Sequence, residues 1–314
     1  MEPHPFIGIN QRSYGSQFLT FTFIVLSSYV IFSLIGLGVL LIIGGQSLES
    51  IQSMDFVNMS KGDINLYKVM QVLSSIGIFI IPAVIFSYLK TGDGLQYLQW
   101  KKGAEINPTI LSVVIMVVAF PVLLVLMIAN QAMVLPDFLQ GMETWMKEQE
   151  LQLAGLTEVF LQMDSIGDFL LNLLMIAIIP AIGEEMLFRG GLQKLLQDWT
   201  KKPHLAIFIS AAIFSAIHVQ FYGFVPRMII GMLLGYLFYW SNNLWYPIIG
   251  HFINNGVQVV AVYAGQMDIS SETPTFETMP TDAKTSLLFM VVGSLVLGSV
   301  LLYLFRSNFK YAEA

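Results

Sequence analysis

Four apolar runs, Phe18–Ile43, Val69–Tyr88, Trp245–Tyr263 and Leu287–Phe305, constrain this chain more than any other feature. A bilayer core takes about 20 apolar residues per crossing helix. Only elements that satisfy their own backbone hydrogen bonds can cross it. A fifth run, Ile110–Ile128, contains Pro121, where a kink is expected. Three shorter runs, Phe169–Ile182, Leu205–Val219 and Met228–Trp240, end in polar or charged residues. They reach bilayer length only if Glu184, Glu185, Arg189 and His218 are counted within or beside the membrane helices. The expectation is an all-α polytopic transmembrane helix bundle of about eight spans. Composition agrees: 55% of residues are hydrophobic and 11% charged, against about 25% charged in a soluble chain. The net charge of −6 argues against a nucleic-acid partner, which favours a basic face. The absence of cysteine excludes disulfide frameworks and cysteine-ligated zinc.

Arg12 precedes a first run too long for the ~7–15-residue core of a signal peptide, so a retained membrane helix is expected there. Loop cations set the orientation. A cytoplasmic N-terminus places Arg12, Lys90, Lys101, Lys102, Lys194, Lys201, Lys202, Arg306 and Lys310 inside. It leaves Lys61, Lys68, Lys147, Arg227 and Lys284 outside, so both termini are expected in the cytoplasm. Acidic residues gather in two external loops, Glu143, Glu148, Glu150 and Glu158 in one, Asp268, Glu272, Glu277 and Asp282 in the other. The segment Pro136–Glu158 mixes Phe138, Leu139, Met142, Trp145 and Met146 with acids. It reads either as an amphipathic helix on the membrane surface or as a solvated loop with a short helix. Three regions follow: 1–165, N-terminal spans with this external segment; 166–265, a helical core holding the unusual polar residues; and 266–314, an acidic loop and a final span. No internal repeat is visible, which weakens a transporter built from inverted halves.

The stretch Gly183-Glu184-Glu185-Met186-Leu187-Phe188-Arg189-Gly190 is the most informative. Each ionised residue costs roughly 2.5–3.5 kcal/mol at a membrane-helix centre, so such groups are paired or functional. Glu185 and Arg189 stand four apart, on one helical face, and can pair. Glu184 is rotated by about 100° from Glu185 and is left available for proton chemistry. The plain alternative is a cytosolic helix end with a surface ion pair. Phe214 and His218 share the same four-residue spacing, as do His251 and Asn255. A lone histidine in such a run is more often a hydrogen-bonded interior residue than a catalyst. Yet His4 and His204 lie outside the spans, whereas His218 and His251 lie in apolar helices that also hold the adjacent carboxylates. A carboxylate and a histidine can activate water. A second histidine and an amide can stabilise an oxyanion.

The ordered trio Glu184-Glu185-x-x-x-Arg189, Phe214-x-x-x-His218 and His251-x-x-x-Asn255 resembles the signature of the CPBP family of membrane proteins, which includes type II CAAX prenyl proteases and proteins linked to bacteriocin processing and immunity. The motif-bearing region, Phe169 to Tyr263, is close to a third of the chain. The resemblance implies an intramembrane endopeptidase with Glu184 as general base and His218 helping to bind and activate water. It implies His251 and Asn255 as the oxyanion hole, with Glu185, Arg189 and Phe214 in structural support. It implies no cofactor, the alternative being zinc held by Glu184, His218 and His251, a set whose chemistry suits that metal.

The expected partners are the lipid bilayer and a membrane-associated peptide or protein substrate. The expected location is a bacterial cytoplasmic membrane. Two rival classes remain: a carrier, which would also bury Glu, Arg and His, and a non-catalytic immunity protein that keeps the fold.

Overall fold

The computed structural model describes residues 8–53, 60–100, 103–265 and 276–309. His4, Lys101, Lys102, Asp268, Glu272 and Lys310 lie outside them. Among the described residues every regular element is helical. Six helices among these residues are long and apolar enough to cross a membrane: α1 (Tyr14–Ile42), α2 (Lys61–Thr91), α3 (Ile106–Gln131), α5 (Ile166–Thr200), α7 (Phe221–Ser241) and α9 (Thr281–Ser307). Between α3 and α5 runs α4 (Gln140–Leu161). The shorter apolar helix α6 (Pro203–Ala216) and α8 (Trp245–Tyr263) fill the remaining positions where crossings are expected. The protein is an integral membrane protein and an all-α polytopic bundle.

Hydrophobicity here points outward as well as inward. Leu19 and Phe23 on α1 are each 70% exposed, and Phe289 on α9 is 72% exposed. A run of large apolar side chains with nothing packed on it suits lipid, not water. Inside, two apolar clusters hold the bundle. One joins α1, α2, α5 and α6 through Phe21, Phe86, Leu187, Phe188 and Phe214. The other joins α3, α7, α8 and α9 through Met116, Leu234, Leu237, Tyr246 and Phe305. The polar site lies where α5, α6, α7 and α8 meet.

Local sequence explains how α5 and α6 are delimited. Ser165 Oγ accepts from the Asp168 backbone N–H at 3.2 Å, an N-terminal cap. Lys61 Nζ reaches Asp168 at 3.0 Å and Asp164 at 3.1 Å, tying the start of α2 to that cap. At the other end Lys201 adopts a left-handed backbone, φ 56°, and Pro203 opens α6. Pro121 lies inside an unbroken α3.

The apolar run from Phe169 stops at Ile182. The helix does not stop there. It continues through the charged residues to Thr200, so Glu184 lies near its middle. Glu184 and His218 are each seventeen residues from Lys201, on either side of the turn between α5 and α6. Segments wound as π-helix, Leu173–Ile178 and Met186–Gln193, flank the two glutamates. Such segments are common at functional sites.

Candidate active site

Glu185 is fully buried and its Oε1 accepts two hydrogen bonds, from Arg189 Nη1 and from His251 Nδ1, each at 2.8 Å. The pairing expected on the α5 face is present, and α8 joins it. Arg189 is also buried. Its Nη2 donates to the Gly231 carbonyl at 2.9 Å, and its Cζ lies 4.8 Å from the centre of the Phe214 ring. A guanidinium over an aromatic face is held by its charge as well as its shape. One turn on, Gln193 Nε2 donates to the Gly235 carbonyl at 3.0 Å, a second rung between α5 and α7. The rungs require small residues on α7: a Cβ at Gly231 would stand 3.0 Å from the Ala211 Cβ on α6.

Glu184 takes no part in these hydrogen bonds. Its Oε2 is buried and hydrogen-bonds to no described residue. The nearest ionisable nitrogen is His251 Nε2, at 3.9 Å. That separation is too long for a direct hydrogen bond but short enough for one water to touch both atoms. Because the Glu185 carboxylate oxygen accepts, the His251 contact assigns a proton to Nδ1 and turns Nε2 toward Glu184.

His218 follows the end of α6. Its Nδ1 faces the Phe214 carbonyl at 2.8 Å, which assigns that nitrogen a proton and leaves Nε2 as an acceptor. The Phe214 ring is 5.2 Å from the His218 ring and 6.0 Å from the His251 ring, so one aromatic side chain contacts both histidines. Asn255 Nδ2 donates to the Ile176 carbonyl and its Oδ1 accepts from Asn254 Nδ2, both at 2.9 Å. One of its two amide hydrogens remains.

Thus Glu184, Glu185, Arg189, Phe214 and His251 form one connected cluster, with His218 against its aromatic member. Asn255 stands one turn along α8 from His251. Among the described residues no group of three or more histidine or acidic side chains is placed to hold a metal ion. Sequence reasoning missed Gln193, Gly231, Gly235 and Asn254. Gln193 and Gly235 repeat Arg189 and Gly231 one helical turn on, which is a signal only once the two helices are known to be neighbours.

The model of the type II CAAX prenyl endopeptidase Rce1-like family matches residues 166–257. This segment is therefore similar to that family, as the three motifs led us to expect. Among curated proteins, the chain is 31% identical over 90 residues to the "Uncharacterized protein YpbD" of Bacillus subtilis (strain 168), a match covering 27% of this chain and 43% of that protein. The chain therefore spans less than half the length of that relative. No solved structure matches.

Proposed function

We propose that this protein hydrolyses peptide bonds of membrane-associated or lipidated peptides with a water activated by Glu184. The observation that carries the reading is the contrast between adjacent carboxylates. Each keeps a buried Oε2 with no partner among the described residues, but Glu185 accepts from Arg189 and His251 through Oε1, whereas Glu184 has only His251 Nε2 at 3.9 Å. A buried acceptor left unpaired is costly, by ~1–3 kcal/mol, and such groups concentrate where a reaction uses them.

In this mechanism Glu184 takes a proton from water as the oxygen attacks the scissile carbonyl, and later passes it to the leaving amine. His218 Nε2, free to accept, holds the same water. His251 Nε2, when protonated, and the remaining N–H of Asn255 donate to the oxyanion. Glu185 fixes the His251 ring from behind, and Arg189 holds Glu185. No metal takes part. The substrate is a peptide held at the bilayer, since a site enclosed by membrane helices favours peptides already concentrated there.

The test is a cleavage assay in detergent with a peptide library, comparing the native chain with Glu184→Ala. Cleavage by the native protein and none by the variant is expected. Equal product from both would remove the assignment.

A further inference from the structure

Arg227, near the start of α7, contributes nothing to the mechanism above, yet its charge acts on both Glu184 and His218. Its Nη2 donates to Gln220 Oε1. Its Nη1 is buried and hydrogen-bonds to no described residue. The guanidinium lies over Gly223, where a Cβ would stand 3.1 Å from Nη2 and 3.4 Å from Nη1, so the glycine keeps room for it. A guanidinium fork with a free, desolvated edge beside a reacting centre is suited to a carboxylate.

A carboxylate already stands near. Glu150 on α4 has a buried Oε2 that hydrogen-bonds to no described residue. Its charge is felt by Arg227, although no ion pair forms between them. Burial pushes the Glu150 carboxyl above its ordinary range, while the backbone N–H groups of Tyr222 and Phe221 and the Arg227 charge oppose that. The helix carrying Glu150 also packs on this loop through Trp145, whose ring is 5.8 Å from that of Phe221. From the other side Asn130 Nδ2 donates to the Phe221 carbonyl at 2.7 Å. So α4 lies over the loop joining His218 to Arg227 and brings an acid to a cation that it does not fully satisfy.

We propose that Arg227 binds a carboxylate of the substrate beside the scissile bond, and that Glu150 on α4 stands in for that carboxylate until substrate displaces it. The inference rests on the reading of Glu184 as the reacting base and adds a specificity determinant to it. The carboxylate belongs either to the peptide C-terminus or to an acidic side chain near the cleaved bond. In both cases it replaces Glu150, and α4 moves off the loop as it enters.

Binding tests this without turnover. Full-length Glu184→Gln protein in detergent is titrated with three matched fluorescent hexapeptides, with empty micelles as the blank. One ends in a free carboxylate, one in an amide, and one in an amide after an added aspartate. The carboxylate peptides should bind at least tenfold more tightly than the plain amide. The third peptide distinguishes a side-chain carboxylate from a terminal one. Adding Arg227→Gln should bring the preference to within twofold, and Arg227→Lys should retain part of it. Adding Glu150→Gln should tighten the preferred carboxylate peptide severalfold and leave the amide unchanged. Equal affinity for carboxylate and amide peptides, or a preference that survives both Arg227 substitutions, would overturn the proposal. Should Arg227→Gln not fold, the Arg227→Lys and Glu150→Gln arms still decide it. Cleavage by the Glu184→Gln protein would remove the base assignment alone, because affinity is read independently of chemistry.

Discussion

Glu185 on α5 and His251 on α8 are joined by a 2.8 Å hydrogen bond through Nδ1, which leaves the other ring nitrogen of His251 facing Glu184. One contact therefore both packs two helices and sets the orientation of a proposed catalytic ring. Partners of this kind fix tautomer and rotamer at once.

Removing Arg189 should therefore harm the fold before it harms the chemistry. Arg189→Ala leaves Glu185 short of its charge partner and the Gly231 carbonyl without its donor. Breaking a buried pair in this way costs about 3–5 kcal/mol. We expect lower yield and a lower Tm, measured by thermal unfolding in detergent, together with lost activity. A stable Arg189→Ala protein that lacks only catalysis would point instead to a role on the substrate.

The close approach of α6 and α7 gives a second stability test. At Gly231 an added Cβ would meet the Ala211 Cβ at 3.0 Å and the Phe214 ring at 3.3 Å. Gly231→Val should separate the helices, destabilise by about 1–3 kcal/mol and shift the Phe214 contacts beneath Arg189. An unchanged Tm would contradict this packing.

Much of the site was legible because its pairs are local. Glu185–Arg189 and Phe214–His218 are each four residues apart on helices, and that spacing alone places their side chains on one face. The rotation of Glu184 away from Glu185 followed from the same geometry. The bond between His251 and Glu185 was not legible, since it crosses between helices far apart in sequence and depends on the packing of α5 on α8. Nor was the unbroken length of α5. An apolar-run criterion ends a span at its first charges, whereas buried partners let this helix carry Glu184, Glu185 and Arg189 through its centre. Arg227 read only as a loop cation, because its neighbours Glu150 and Glu184 come from other elements.

Metal dependence is open to direct measurement. The proposed chemistry needs no zinc, so purified protein should carry no stoichiometric zinc by elemental analysis and should keep its activity after strong chelation. Loss on chelation with recovery on adding zinc would make Glu184, His218 and His251 a ligand set.

Access to the site can be mapped because the chain has no native cysteine. His218 and Arg227 flank the segment that α4 packs against, which the expected cytoplasmic termini would put outside the cytoplasm. Gln220→Cys should then react with an impermeant maleimide added to the outside of intact cells. Reaction only in inverted membrane vesicles would reverse the orientation and place the α4 side in the cytoplasm.

The central claim is that Glu184, and not its neighbour, is the base. Glu184→Gln keeps the size of the side chain and its polarity but removes its capacity to take a proton from water. The most direct measurement is the initial rate of cleavage of a verified peptide by this variant, with its Tm taken alongside the native value. The account predicts a Tm close to native and a rate at least 100-fold lower, in line with the ~10²–10⁴-fold contribution of general-base catalysis. Native-like cleavage by a folded Glu184→Gln protein would contradict it.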